Sequence, residues 1–82
     1  MGEFVGVKRK KMRSILIWVQ TLPRMSVKEG GKHQVNVNCD DWERPFPICF
    51  KYNEINKVYV KGLMKLMVKS KVCTEEEFKS QI

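Results

Sequence analysis

The sequence predicts an α+β fold, in which a small antiparallel β-sheet of three to four strands precedes a long amphipathic helix and a short C-terminal helix. β-branched residues and two-residue alternation dominate residues 14–52, whereas apolar residues recur with a helical period over residues 54–71. A chain of 82 residues has room for one hydrophobic core and not two. We therefore expect a basic N-terminal arm over residues 1–13 and a single domain over residues 14–82.

The first predicted strand covers residues 14–21. Its β-branched residues Ile15, Ile17 and Val19 alternate with other side chains, and Pro23 ends the run. Because both sets of alternating positions include apolar residues, we expect this strand to be buried on both faces for part of its length.

A β-hairpin is predicted for residues 25–39. Gly30 and Gly31 can supply the positive φ angles of a two-residue primed turn, which would place Glu29 opposite Lys32. The return strand alternates cleanly between apolar and polar residues. Its inward-facing side chains are expected to be Val35, Val37 and Cys39.

Residues 40–47 are predicted to form a loop, because Pro45 and Pro47 cannot lie in a central strand. A short strand over residues 48–52 follows. The side chains expected on one face of that strand are Ile48, Phe50 and Tyr52.

A long helix is predicted over residues 54–71, with Asn53 as its cap. A strand over residues 57–61, ended by Gly62, is the alternative, and the helix is favoured because its period continues across that glycine. The expected core-facing residues of the helix are Ile55, Tyr59, Val60, Leu63, Leu66 and Met67.

The last helix is predicted to begin at Thr74. Thr74 and Glu77 have the spacing of a capping box, and acidic residues occupy the first turn, where the helix dipole favours negative charge. We expect Phe78 and Ile82 to pack this helix onto the core.

The formal net charge of +7 favours an anionic partner, such as nucleic acid or an acidic protein surface. The strongest pattern is one lysine in every fourth position of the long helix, with no acidic residue between Glu54 and Glu75. Like charges four residues apart destabilise a helix, so we interpret the face that carries these lysines as a binding face. The residues predicted to bind nucleic acid are Lys57, Lys61, Lys65 and Lys69 of this helix and Lys8, Arg9, Lys10, Lys11 and Arg13 of the basic arm.

A second set of residues predicts binding to a protein instead. Three apolar residues of the long helix alternate with its lysines, as a protein groove, a homodimer surface or a membrane surface would require. The loop contributes residue types that anchor interfaces, although its aromatic residues would also suit a cover over one end of the core. The predicted protein-binding residues are Trp42, Arg44, Phe46, Val58, Met64 and Val68.

An enzyme is not expected, because the chain has one histidine, His33, and no Gly-rich phosphate loop or Ser-His pairing. The spacing of Cys39, Cys49 and Cys73 matches no zinc motif, so we expect reduced thiols and neither metal nor cofactor. No apolar run is long enough to span a membrane and no signal peptide is evident, which suggests an intracellular protein, cytoplasmic or nuclear.

Together these observations predict a non-enzymatic nucleic-acid-binding protein or an accessory to a nucleic-acid machine. The alternative is a protein-binding modulator, that is, an inhibitor or adaptor of a larger complex. A viral or phage origin would suit either function.

Overall fold

The computed structural model describes residues 6–82 and has an α+β fold, as predicted. The predicted antiparallel sheet, the long helix that follows it and the short C-terminal helix are all present. In chain order, the elements of the described residues are β1 (Val7–Lys8), α1 (Arg9–Gln20), β2 (Met25–Glu29), β3 (Gln34–Cys39), β4 (Phe46–Cys49), β5 (Glu54–Ile55), α2 (Lys57–Lys69) and α3 (Glu75–Lys79).

Strands β2, β3 and β4 form an antiparallel sheet with β3 in the centre, while β1 and β5 form a separate antiparallel pair. The alternation predicted for β3 is confirmed, because Val35, Val37 and Cys39 are all buried. Pro47 lies in β4 despite the expectation of a loop up to that residue. It is accommodated because β4 is an edge strand, where a missing N–H need not break the ladder.

The predicted strand over residues 14–21 is wrong, because these residues belong to α1 and the turn that follows it. The buried residues of α1 recur at intervals of three and four, so one helical face packs against the core. Burial of this face overrides the β-propensity of the branched residues. Ile17, which the strand pattern grouped with Ile15, is 65% exposed. The buried residues of α1 are Met12, Ile15, Leu16 and Val19.

Part of the predicted basic arm lies on folded elements. Residues 7–13 form β1 and the start of α1, and both Val7 and Met12 are buried in the core. Residues 1–5 of the predicted arm lie outside the described part of the chain.

The hairpin between β2 and β3 has a longer connection than predicted. Glu29 pairs with Val35 and not with Lys32, and the Gly30 N–H donates to the Gln34 carbonyl at 2.9 Å. Of the two glycines in this connection, only Gly31 has a positive φ, of 142°. Gly30 instead lies under the Asn36 side chain, because a Cβ at this position would overlap the Asn36 amide nitrogen.

The helix α2 begins later than predicted and its cap is Asn56, whose Oδ1 accepts a hydrogen bond from the Val58 N–H at 2.9 Å. Asn53 cannot cap it, because Glu54–Ile55 pairs with β1 and is held in an extended conformation. The helix ends at Lys69, and the chain reverses through Lys71, which has a φ of 60°. The alternative of a strand over residues 57–61 is wrong.

The start of α3 agrees with the prediction. Thr74 Oγ1 accepts a hydrogen bond from the Glu77 N–H at 3.1 Å, and Glu77 Oε1 accepts one from the Thr74 N–H at 2.8 Å, which completes the capping box. Phe78 is fully buried and meets the edge of Trp18 with the ring centroids 6.0 Å apart. Ile82 does not dock as expected and is exposed.

One core lies between the helices and the inner face of the three-stranded sheet. Ile48 and Phe50 are buried in it as predicted, whereas Tyr52 is exposed because β4 ends at Cys49. This core fixes the outward faces of α1 and α2, on which most of the predicted binding residues lie.

Candidate binding surface

Four lysines form a row along the outer face of α2, and we call this row the lysine stripe. Its members are Lys57, Lys61, Lys65 and Lys69, all of them exposed. At a rise of 1.5 Å per residue, the stripe is about 18 Å long. None of the four forms an ion pair with another residue in the described part of the chain, and α2 contains no acidic residue. The stripe is therefore a row of unneutralised positive charge.

The apolar residues predicted to alternate with the stripe are placed differently from one another. Met64 is only 5% exposed and belongs to the core, because it lies four residues after Val60 and three before Met67, on the same face of the helix. Val68 is half-buried and packs against the core. Only Val58, which is 67% exposed, remains an open apolar residue beside the lysines. The stripe is therefore more purely basic than the sequence suggests.

The basic residues of β1 and α1 differ in their contacts. Arg9 Nη1 donates to the Phe50 carbonyl at 3.3 Å, and the Arg13 guanidinium lies 5.0 Å from the centroid of the Phe50 ring. Both arginines thus help to hold Phe50, which is buried. The ammonium groups of three exposed lysines in this region form no hydrogen bond or ion pair with the described residues, namely those of Lys8, Lys10 and Lys11.

Both long helices place positive charge at the end where the helix dipole is itself positive. The first turn of α1 contains three basic residues and no acidic one, and α2 begins with Lys57. Each such charge costs about 0.3 to 1 kcal/mol at low ionic strength. Lys8 at the N-cap of α1 makes no side-chain capping bond. An anionic partner would offset this repulsion.

A cleft of about 640 Å³ lies between the loop from β3 to β4 and the C-terminal half of α2. The three loop residues predicted as anchors all line this cleft, and Lys69 of the stripe lies on its other side. Trp42 and Phe46 are half-buried and pack against the core, so they also cover part of the core. The other residues that line the cleft include Leu66 and Ser70.

The loop beside the cleft is fastened to the end of α2 by polar contacts. Trp42 Nε1 donates to Ser70 Oγ at 2.6 Å, which ties the indole to the C-cap of α2. Arg24 forms an ion pair with Asp41 and also donates from Nη2 to the Ser70 carbonyl at 3.3 Å. Sequence reasoning missed Arg24 and Ser70, because no local pattern signals contacts between such distant segments.

Gly62 of α2 allows Phe46, the first residue of β4, to approach the helix closely. A Cβ at this position would lie 3.0 Å from Phe46 Cζ, closer than the ring can accept without moving. The glycine that made the helix prediction ambiguous is thus explained by packing and not by a helix end.

The remaining candidate groups are the three cysteines and His33. Cys39 and Cys73 are buried, Cys49 is half-buried, and all three are free thiols. Burial, and then the charge of Glu77, raises the pKa of Cys73, which keeps it protonated. Across residues 6–82, no three His, Cys, Asp or Glu side chains cluster closely enough to hold a metal ion, and His33 is exposed in the hairpin connection.

Within the same range of residues, none of the helices has the length and apolar character needed to cross a membrane. No protein-family model matches the chain, and no curated protein or solved structure shows significant similarity to it. The lysine stripe and the aromatic cleft at its end are therefore the features from which a function is inferred.

Proposed function

We propose that this protein is a non-enzymatic nucleic-acid-binding protein, or an accessory to a nucleic-acid machine, and that the lysine stripe contacts phosphates. The observation that carries the proposal is the burial of Met64 together with the unneutralised state of the four lysines. A row of positive charges repeating every 6 Å or so along a helix suits a polymer with regularly spaced negative charge.

The charge distribution gives further support. Each of the two long helices contains four basic residues and no acidic residue. Three like-charge pairs along the stripe cost about 0.6 to 1.5 kcal/mol, out of a total stability of about 4 to 12 kcal/mol for a domain of this size. Neutralisation by phosphates would remove that repulsion. The lysines Lys8, Lys10 and Lys11 would provide a second set of phosphate contacts.

The absence of catalysis is part of the proposal, and the lining of the cleft supports it. Its two carboxylates are Asp41, which is paired with Arg24, and Glu43, which is exposed. General acid and base catalysis would need a positioned pair of titratable groups, and the cleft lining includes no histidine or cysteine.

A protein-binding modulator is the second candidate, and one observation favours it. Val58 on α2 and Ile17 on α1 remain strongly exposed, and a protein partner would gain energy by covering such residues. Each is the one strongly exposed large apolar residue of its helix, whereas the stripe contributes four charges, which is why nucleic acid is the first proposal.

The proposal is tested by changing all four lysines of the stripe to glutamine. We expect affinity for a labelled oligonucleotide, measured by fluorescence anisotropy, to fall steeply, while the free energy of unfolding holds or rises by about 0.6 to 1.5 kcal/mol. The control changes four exposed lysines outside both long helices, and so removes the same charge. These control lysines are Lys28, Lys32, Lys51 and Lys71.

The control variant should retain most of the affinity. An equal loss in both variants would mean that net charge and not the stripe governs binding. A dissociation constant of the unmodified protein weaker than about 10⁻⁴ M at physiological salt would reject nucleic-acid binding and leave the protein-binding alternative.

A further inference from the structure

The lysine stripe leads directly into the aromatic cleft. Lys69 is the last residue of the stripe and also lines the cleft, opposite Trp42 and Phe46. A strand of nucleic acid that followed the stripe would therefore reach the two rings at its end.

We propose that the cleft receives an unpaired base of a single-stranded nucleic acid whose phosphates follow the lysine stripe. This proposal rests on the proposed function and specifies its ligand. Proteins that bind single strands combine a basic track for the backbone with aromatic side chains on which bases stack. In a duplex the bases are stacked inside the helix, so a base would have to flip out before it entered such a cleft.

The chemistry of the lining suits a base flanked by phosphates. Trp42, Phe46 and Leu66 offer apolar surface, and Arg44 is exposed and has no hydrogen-bond or ion-pair partner among the described residues. Arg44 and Lys69 therefore supply two free cations at the cleft.

Two carboxylates also line the cleft, and their effect is limited. Asp41 is neutralised by its ion pair with Arg24, which leaves Glu43 as the one unpaired acid of the lining. The free cations outnumber it, so the cleft has a net attraction for phosphate.

The cleft is formed in advance of any ligand. The bond from Trp42 to Ser70 and the contacts of Arg24 hold the loop against the end of α2. Its volume of about 640 Å³ is in the range of sites for small ligands, about 300 to 1,000 Å³. A base can therefore enter without first ordering the loop, which favours affinity.

The test uses the fluorescence of Trp42. The chain contains two tryptophans, and Trp18→Phe retains an aromatic ring against Phe78 while leaving Trp42 as the only indole. Three probes of equal length, about 12 nucleotides per strand, are added to this variant: oligothymidylate, an oligonucleotide of abasic sugars and a blunt-ended duplex. We expect saturable quenching of Trp42 by oligothymidylate alone, although the abasic probe also binds in a salt-dependent manner.

A second variant tests the same contact by affinity. Phe46→Leu removes the second ring, and we expect it to weaken oligothymidylate binding by about tenfold while binding of the abasic probe changes by less than about twofold. Thermal unfolding of each variant establishes that it is folded before binding is measured. If Phe46→Leu does not fold, the quenching experiment still decides the proposal.

The outcomes separate the two proposals. Equal affinity for oligothymidylate and the abasic probe, with no change in Trp42 emission, would overturn the base-binding cleft and leave the lysine stripe as the phosphate site. No salt-dependent binding of any probe would overturn both. Quenching by oligoglutamate as strong as that by oligothymidylate would assign the cleft to an acidic protein segment and overturn the proposal.

Discussion

The two long helices have the same formal charge and use it differently. Each carries four basic residues and no acidic one. On α1, Arg9 and Arg13 contact Phe50, so half of the charge of this helix has a structural role. On α2, all four lysines point outward without an ion-pair partner in the described residues.

The comparison shows that a count of charges does not identify a binding surface. An arginine that stacks on a buried ring stabilises the fold through its guanidinium and its aliphatic stem. A lysine stripe without partners weakens its own helix through repulsion between neighbours. The proposed ligand would account for charges that lack a structural role, and more of these lie on α2 than on α1.

The largest effect is expected from breaking α1, the helix that sequence analysis interpreted as a strand. Ser14→Pro should destabilise the protein by about 3 kcal/mol or more, because proline inside a helix removes a backbone hydrogen bond and clashes with the preceding turn. The measurement is the urea midpoint followed by circular dichroism. Ser14→Ala is the control, and it should be neutral or slightly stabilising.

This experiment distinguishes the helix α1 from the strand that the sequence predicts for the same segment. Residue 14 would be the first residue of the predicted strand, a position where proline is tolerated. A Ser14→Pro variant as stable as Ser14→Ala would therefore contradict the helix.

A smaller change in stability is expected from replacing single cations, and its sign should differ between α1 and α2. Arg13→Gln is expected to lower the free energy of unfolding by about 0.5 to 1 kcal/mol, because it removes the cation–π contact with Phe50. Lys61→Gln should instead raise it by a few tenths of a kcal/mol, since it relieves repulsion from Lys57 and Lys65. Chemical denaturation of both variants at low salt measures the difference. Equal destabilisation by the two changes would remove the distinction between the helices.

Local sequence patterns predicted an element correctly where every signal in the segment favoured the same structure. The two-residue alternation of β3 and the capping box at Thr74 each have one interpretation, and both are present. The segment Ile15–Val19 fits both a strand and one face of a helix, and only burial against the rest of the chain decides between them. Both Asn53 and Asn56 could cap α2 by residue type. The pairing of Glu54–Ile55 with β1 decides that the cap is Asn56.

The residues of the candidate site also divide into those that one local pattern reveals and those that depend on contacts with distant segments. The four-residue spacing of the lysines was visible in the sequence, since it depends on one helix. The burial of Met64 depends on which face α2 turns toward the core. The core-facing residues predicted from the sequence did not include it. The contacts of Arg24 with Asp41 and Ser70 join segments that are remote in the chain, which no local pattern could indicate.

The central claim is that the stripe on α2, more than the cluster on α1, tracks phosphates. The most direct test titrates two double variants with single-stranded oligothymidylate at several salt concentrations. One variant carries Lys61→Gln and Lys65→Gln, and the other carries Lys10→Gln and Lys11→Gln. Lys61 and Lys65 lie about 40° apart around α2 and can contact one backbone, whereas Lys10 and Lys11 diverge by about 100°.

For a single strand, the logarithm of the binding constant falls with the logarithm of salt by about 0.7 for each phosphate neutralised. The α2 double variant should therefore flatten the slope by about 1.4, and the α1 double variant by about 0.7 or less. Equal flattening in the two variants, or a larger change in the α1 variant, would contradict the account.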